Sequence, residues 1–295
     1  MRNGLLKKQL KKICLRDNAF WIWTVTMLVI VCGDILGLKV IPQISKDESY
    51  MYTLMSYLGF LPMWISTIFV ITVFKKNRYI YKCLLINTKG NTILNLLVGL
   101  LMGFLLNGLC GFVSWVCGDI KLNFVGFDLI PVLGLFIAVF IQSSAEEAVC
   151  RGFMYQRLLK SNPKPIFAIV VNSLFFAFLH LSNNGINIIA FYDLFVTGVF
   201  FSLIVYYFDS LWMVMGIHTT WNFTQSILLG LPNSGASFPY SIYRLDANSV
   251  YSGFAYNNEF GLEGTILSST LMTICCIMVY IVKCKEKKDL WFANK

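Results

Sequence analysis

Ile141-Gln142-Ser143-Ser144-Ala145-Glu146-Glu147-Ala148-Val149-Cys150-Arg151 sets two adjacent glutamates deep in an apolar run. Hydrocarbon surroundings make such charges costly, so they point to function by default. Residues four apart on a helix share a face, and Glu147 with Arg151 has the acid-before-base order that favours an ion pair. Glu146 lies about 100 degrees further round the helix, points elsewhere and is free for chemistry. Two more polar groups interrupt apolar stretches downstream. They are the only histidines in the chain: His180 in Phe176-Ala177-Phe178-Leu179-His180 and His218 in His218-Thr219-Thr220-Trp221-Asn222.

The rest of the chain says where this site sits. Of its 295 residues, 57% are hydrophobic and 13% charged, against roughly 25% charge in soluble domains. Apolar runs fall at 19–38, 52–74, 92–117, 127–150, 165–181, 188–208, 211–230 and 263–283, each close to the length that crosses a bilayer as a helix. The expected fold is an all-α polytopic membrane protein of about eight transmembrane helices, with the catalytic core in helices four to seven. It forms one membrane domain, 1–295. Residues 1–126 are amino-terminal helices without motifs, 127–230 the core, 231–262 an outer loop that either covers the site or only connects, and 263–283 the last span.

A net charge of +9 invites a nucleic-acid reading, but the basic residues do not form one surface. Twenty of the 24 lysines and arginines fall in Arg2–Arg16, Lys75–Lys89, Arg151–Lys164 and Lys283–Lys295, alternate segments that the positive-inside rule places in the cytosol together with both termini. Lys75–Lys89 reads either as an amphipathic interfacial helix or as an extended basic loop. The apolar run after Arg16 is too long for the core of a cleaved signal, so the first span is expected to stay. Nine cysteines, an odd number without a Cys-x-x-Cys pair, exclude a disulfide framework or a zinc knuckle. A short chain without a retention signal suggests a bacterial cell membrane.

A poorly solvated carboxylate is a competent general base toward water. His180 is the candidate to orient that water, with Phe176, one turn earlier, packing on its ring or walling the cavity. His218 and Asn222, again four apart, offer two donors for a developing oxyanion. Glu147, Arg151 and Phe176 support the site. Asp34, Asp128 and Asp193 sit near the outer ends of their spans and read as structural, outside the site. Each feature alone has an ordinary explanation: a packing clamp, a core histidine or an interhelical amide. Together they form an amide-hydrolysing set. One measure disagrees. Helical rise puts Glu146 and His218 at about 16 and 13 Å from their basic or acidic ends but His180 at about 24 Å from Lys164.

Glu-Glu-x-x-x-Arg at 146–151 running into Gly152, Phe-x-x-x-His at 176–180 and His-x-x-x-Asn at 218–222 resemble, in this order, the motifs of the CPBP (Abi) family of intramembrane proteases, which includes the type II CAAX prenyl proteases. The resemblance covers about 127–230; residues 1–126 show no match, and Cys150 stands where the pattern commonly has an aromatic. It implies peptide-bond hydrolysis within the bilayer, Glu146 activating water with His180 while His218 and Asn222 bind the oxyanion. The family is described both as metal-independent and as metal-dependent. Metal-free activation is the first expectation, and Glu146, His180 and His218 would be the ligands of a zinc ion. Expected partners are membrane lipid and a peptide or protein substrate, either prenylated or a bacteriocin precursor, and no nucleic acid. The alternative is a non-catalytic scaffold or bacteriocin self-immunity protein of the same fold. A proton-coupled transporter would need an internal repeat, and none is visible.

Overall fold

The computed structural model describes residues 18–40, 44–162 and 164–284. The basic segment Arg2–Arg16 and most of Lys283–Lys295 lie outside the described residues. Ten helices carry the architecture among them: α1 (Ala19–Val40), α2 (Ser49–Leu58), α3 (Leu61–Val73), α4 (Ile93–Val116), α5 (Leu129–Glu147), α6 (Tyr155–Ser161), α7 (Pro165–Leu179), α8 (Ile188–Phe208), α9 (Leu211–Phe223) and α10 (Ile266–Lys283). Six stretches are long and apolar enough to cross a membrane: α1, α2 with α3, α4, α5 with α6, α8 and α10. The protein is an integral, multi-pass membrane protein. The other two expected spans are helical but short. Helix α7 has 15 residues, below the roughly 20 that a bilayer crossing needs, and α9 has 13 but runs on through a π-helical turn, Thr224–Leu228, so that the helical stretch is 211–228. These two hold the Phe-x-x-x-His and His-x-x-x-Asn motifs.

Helix α5 does not stop at 150. It runs through one wide, π-helical turn, Ala148–Met154, into α6, making a rod of 33 residues, Leu129–Ser161. Arg151 and Arg157, expected in a cytosolic loop, are buried; the Arg157 guanidinium lies 5.2 Å from the Phe153 ring. A polar segment stays helical here because aromatic faces offer its cations a place inside the protein. Tyr155 to Leu159 are buried as well, and α7 starts immediately behind them.

Helix α9 owes its central place to α4. Gly99, Gly103, Asn107 and Gly111 recur every fourth residue and are buried. A Cβ on Gly99 would fall on the Met213 carbonyl, and one on Gly103 on the Ile217 carbonyl. Only glycine lets the two backbones come this close, the packing mode of small residues at four-residue spacing in membranes. Asn107 extends the seam, donating to Gln225 at 2.7 Å. At the other end Asn91 accepts from the backbone N–H groups of Leu211 and Trp212 at 2.8 and 3.2 Å, filling donors that a helix start leaves open.

Lys75–Lys89 is neither a single amphipathic helix nor a fully extended loop. A 3₁₀ turn at Lys75–Ile80 and one helical turn at Tyr81–Leu84 bury Ile80, Asn77 and Cys83. The described cysteines are all free. Outside the helices, Leu122–Phe124 (β1) pairs antiparallel with Tyr243–Leu245 (β2), which ties the segment before α5 to the outer loop.

Candidate active site

The carboxyl-terminal turn of α5 separates the paired glutamates. Glu147 is fully buried, and its Oε1 accepts from Arg151 Nη1 at 3.0 Å. The same oxygen also accepts from Nδ1 of His218 at 3.0 Å. Glu147 is thus more than the partner of Arg151: it reaches across to α9 and fixes the imidazole, with the proton on Nδ1 because a carboxylate can only accept. The ring then turns Nε2 toward Glu146, whose Oε2 is 3.8 Å away. One water molecule can touch both atoms across that gap.

Arg151 joins the motifs for a second reason. Its guanidinium lies 4.3 Å from the Phe176 ring centroid and 5.3 Å from that of Phe201, cation–π distances, while Nε and Nη2 are buried without a hydrogen-bond partner among the described residues. Phe176 in turn sits 4.9 Å from the His180 ring and borders the cavity. Its carbonyl accepts from His180 Nδ1 at 2.9 Å. His180 closes α7 as its last cap, leaving Nε2 as the free lone pair.

Asn222 is more occupied than its motif suggests. Its Nδ2 donates to Gln142 Oε1 at 3.1 Å and to Ser143 Oγ at 3.3 Å, and its Oδ1 accepts from Asn233 of the outer loop at 3.1 Å. Gln142 then donates to Glu146 Oε1 at 2.6 Å. A chain of amides, Asn233 to Asn222 to Gln142, thus orients the Glu146 carboxylate. Gln142 was not singled out in the sequence, although it precedes Glu146 by four residues and so shares its face.

Glu146, His180, His218 and Asn222 all border one cavity of about 330 Å³. The outer loop closes part of it. Asn233, Ser234, Ala236 and Phe238 line the wall, and Asn183, just beyond α7, donates to the Ser234 carbonyl at 2.8 Å. A second cavity, about 620 Å³, lies between α1 and α7; Trp23, Met27 and Ile30 face Phe175, Phe178 and Leu179 across it. The two share Phe60, Glu146, Phe176, His180 and Asn183. Two aspartates left outside the site by their sequence position border these spaces: Asp193 the first and Asp34 the second. Glu263 also borders the first. Burial raises its carboxyl pKa, opposed by hydrogen bonds from Ser234 and Trp221.

Zinc finds no ready set of ligands. Among the described residues no group of three or more His, Cys, Asp or Glu side chains is arranged to hold a metal ion.

Residues 128–224 match the model of a family described as Type II CAAX prenyl endopeptidase Rce1-like. This region is similar to that family. The match begins one residue before α5 and ends just past α9, so it takes in every motif residue and both short helices. The Rce1-like region is the one that the CPBP resemblance marked. Neither the curated proteins nor the solved structures contain a significant match to the chain.

Proposed function

We propose that the protein is an intramembrane endopeptidase, whose core at 127–230 hydrolyses a peptide bond of a membrane-associated substrate with water activated by Glu146. The observation that carries this reading is the approach of Glu146 Oε2 to His218 Nε2 at 3.8 Å, with the far side of the imidazole held by buried Glu147. Glu146 takes a proton from the water while the His180 Nε2 lone pair holds its other hydrogen. The resulting hydroxide adds to the carbonyl carbon. His218, with Glu147 balancing its charge when Nε2 is protonated, donates to the oxyanion, and Asn222 donates too by releasing Ser143, the longer of its two bonds. The C–N bond then breaks as Glu146 passes its proton to the leaving amine, giving a carboxylic acid and a free amine and returning Glu146 to its carboxylate. Substrate reaches Glu146 through the apolar cavity between α1 and α7, which suits a lipid-bearing or strongly hydrophobic chain; a prenylated protein and a bacteriocin precursor both have that chemistry. The cytosolic setting of the termini and a bacterial membrane remain part of this proposal.

Cells carrying the intact chain are compared with cells carrying Glu146→Ala for their membrane and secreted peptides. A product absent from the variant, at equal membrane abundance of the two proteins, is the expected result. Identical peptides in both overturn the reading. Cleavage in detergent is expected to persist in excess chelator; loss that returns with zinc would replace side-chain activation by a metal.

A further inference from the structure

A second pair of carboxyl groups borders the Glu146 cavity, from α8 and from the residue region that leads into α10. Asp193 is 1% exposed and Glu263 8%. Asp193 Oδ2 accepts from Ser268 Oγ at 3.0 Å; Ser269 is also beside the carboxyl group, but its hydroxyl donates to the Thr265 carbonyl at 2.8 Å, and Oδ1 is buried with no hydrogen-bond partner among the described residues. Glu263 is held firmly: Oε1 accepts from Trp221 Nε1 at 3.0 Å, and Oε2 accepts from the backbone N–H and hydroxyl of Ser234 at 2.6 and 3.0 Å. All of these donors are neutral. Among the described residues, neither carboxyl group forms an ion pair with lysine or arginine.

Two carboxyl groups out of water without a countercharge are expensive to keep. A bound cation with N–H groups would supply the charge and fill the open Oδ1 with a charge-assisted hydrogen bond. Leu194 and Thr197 of α8 and Met272 of α10 border the same cavity, an apolar lining suited to the methylene stem of a long basic side chain. Trp221 ties Glu263 to the helix of His218 and Asn222, which places the acidic pair beside the hydrolytic groups.

We propose that Asp193 and Glu263 form a subsite for the ammonium or guanidinium of a substrate lysine or arginine near the bond that is cut. Its purpose rests on the proteolytic reading above; its occupancy does not require cleavage. The full chain carrying Glu146→Ala, in detergent, is titrated with N-acetyl-lysine N-methylamide and with the glutamine counterpart, with binding read by ligand-observed NMR. The lysine probe is expected to bind and the glutamine probe not, and adding Asp193→Asn is expected to weaken the lysine probe about tenfold, the scale of a lost hydrogen bond to a charged group. Glu263→Gln, which keeps an acceptor for Ser234, serves as the second variant if Asp193→Asn does not fold. Equal binding of both probes, or binding unchanged by both variants, overturns the subsite. With active protein, peptides differing only by lysine or glutamine near the cut are compared. The lysine-to-glutamine ratio of kcat/KM is expected to be high at one position and to fall about tenfold in Asp193→Asn; a ratio near one throughout overturns the proposal. A chain that cuts nothing yet binds the lysine probe through Asp193 keeps the subsite and ends the proteolytic reading.

Discussion

Helix α4 meets its neighbour through glycines, whereas α5 meets the same neighbour through charge. Gly99 lies against the Met213 backbone, and Gly103 against the Ile217 backbone with the Thr220 hydroxyl beside it. At Glu147 one carboxylate oxygen serves an arginine and an imidazole at 3.0 Å each. Both faces press on α9, and both are buried. They should fail differently: the glycine stretch of the α4 face is sensitive first to added volume, while the α5 face is sensitive to single atoms at constant volume.

The sharpest way to break that contrast is Glu146→Gln. It keeps the shape of the side chain and should cut hydrolysis by about 10²–10⁴-fold, the usual worth of a general base, with unchanged thermal unfolding in detergent. Retained cleavage would show that α5 too is only a packing element. Next comes Glu147→Leu, which strands the buried Arg151 cation and should cost about 3–5 kcal/mol. Adding Arg151→Met should restore most of the unfolding temperature but not the cleavage, because His218 still lacks its acceptor. Gly103→Leu should cost about 1–3 kcal/mol through overpacking. Gly108→Leu, where an added Cβ meets nothing within 4 Å, should leave the unfolding temperature alone. The smallest effect belongs to the outer loop. Asn233→Ala removes one hydrogen bond from Asn222, worth about 0.5–1.5 kcal/mol, and should lower kcat a few-fold with KM little changed.

The sequence and the structure agree best where a statement concerns one helix. All eight apolar segments are helical, the Glu147–Arg151 pair forms as its spacing required, and the Phe176 ring packs on His180. What spacing within a helix leaves open is how that helix turns toward its neighbours. Hence the imidazole of His218 comes within 3.8 Å of Glu146 while His180 shares their cavity, and Glu147 belongs to the site as much as to its support. The Gly99–Gly103 repeat is legible in the sequence, but its spacing alone does not name the helix it packs against. Asp193 was discounted for lying near the end of its span, although a carboxyl group in an apolar run always raises the question of what balances it. Asn233 gives no signal, since the outer loop has no periodicity from which a contact can be inferred, and Glu263, the first residue of the expected last span, has no spacing partner that points to Trp221 or Ser234.

The wide turn at Ala148–Met154 lets the two ends of one rod keep independent angular phases. A π-helical turn holds an extra residue, and each residue of a regular helix advances the side chains by about 100 degrees. Upstream, Glu146 borders the cavity; downstream, Leu158 and Leu159 are buried in α6, which packs on α7. The extra residue is absorbed within the turn, so the faces of the two ends are set against each other there and not by the number of residues that separates them.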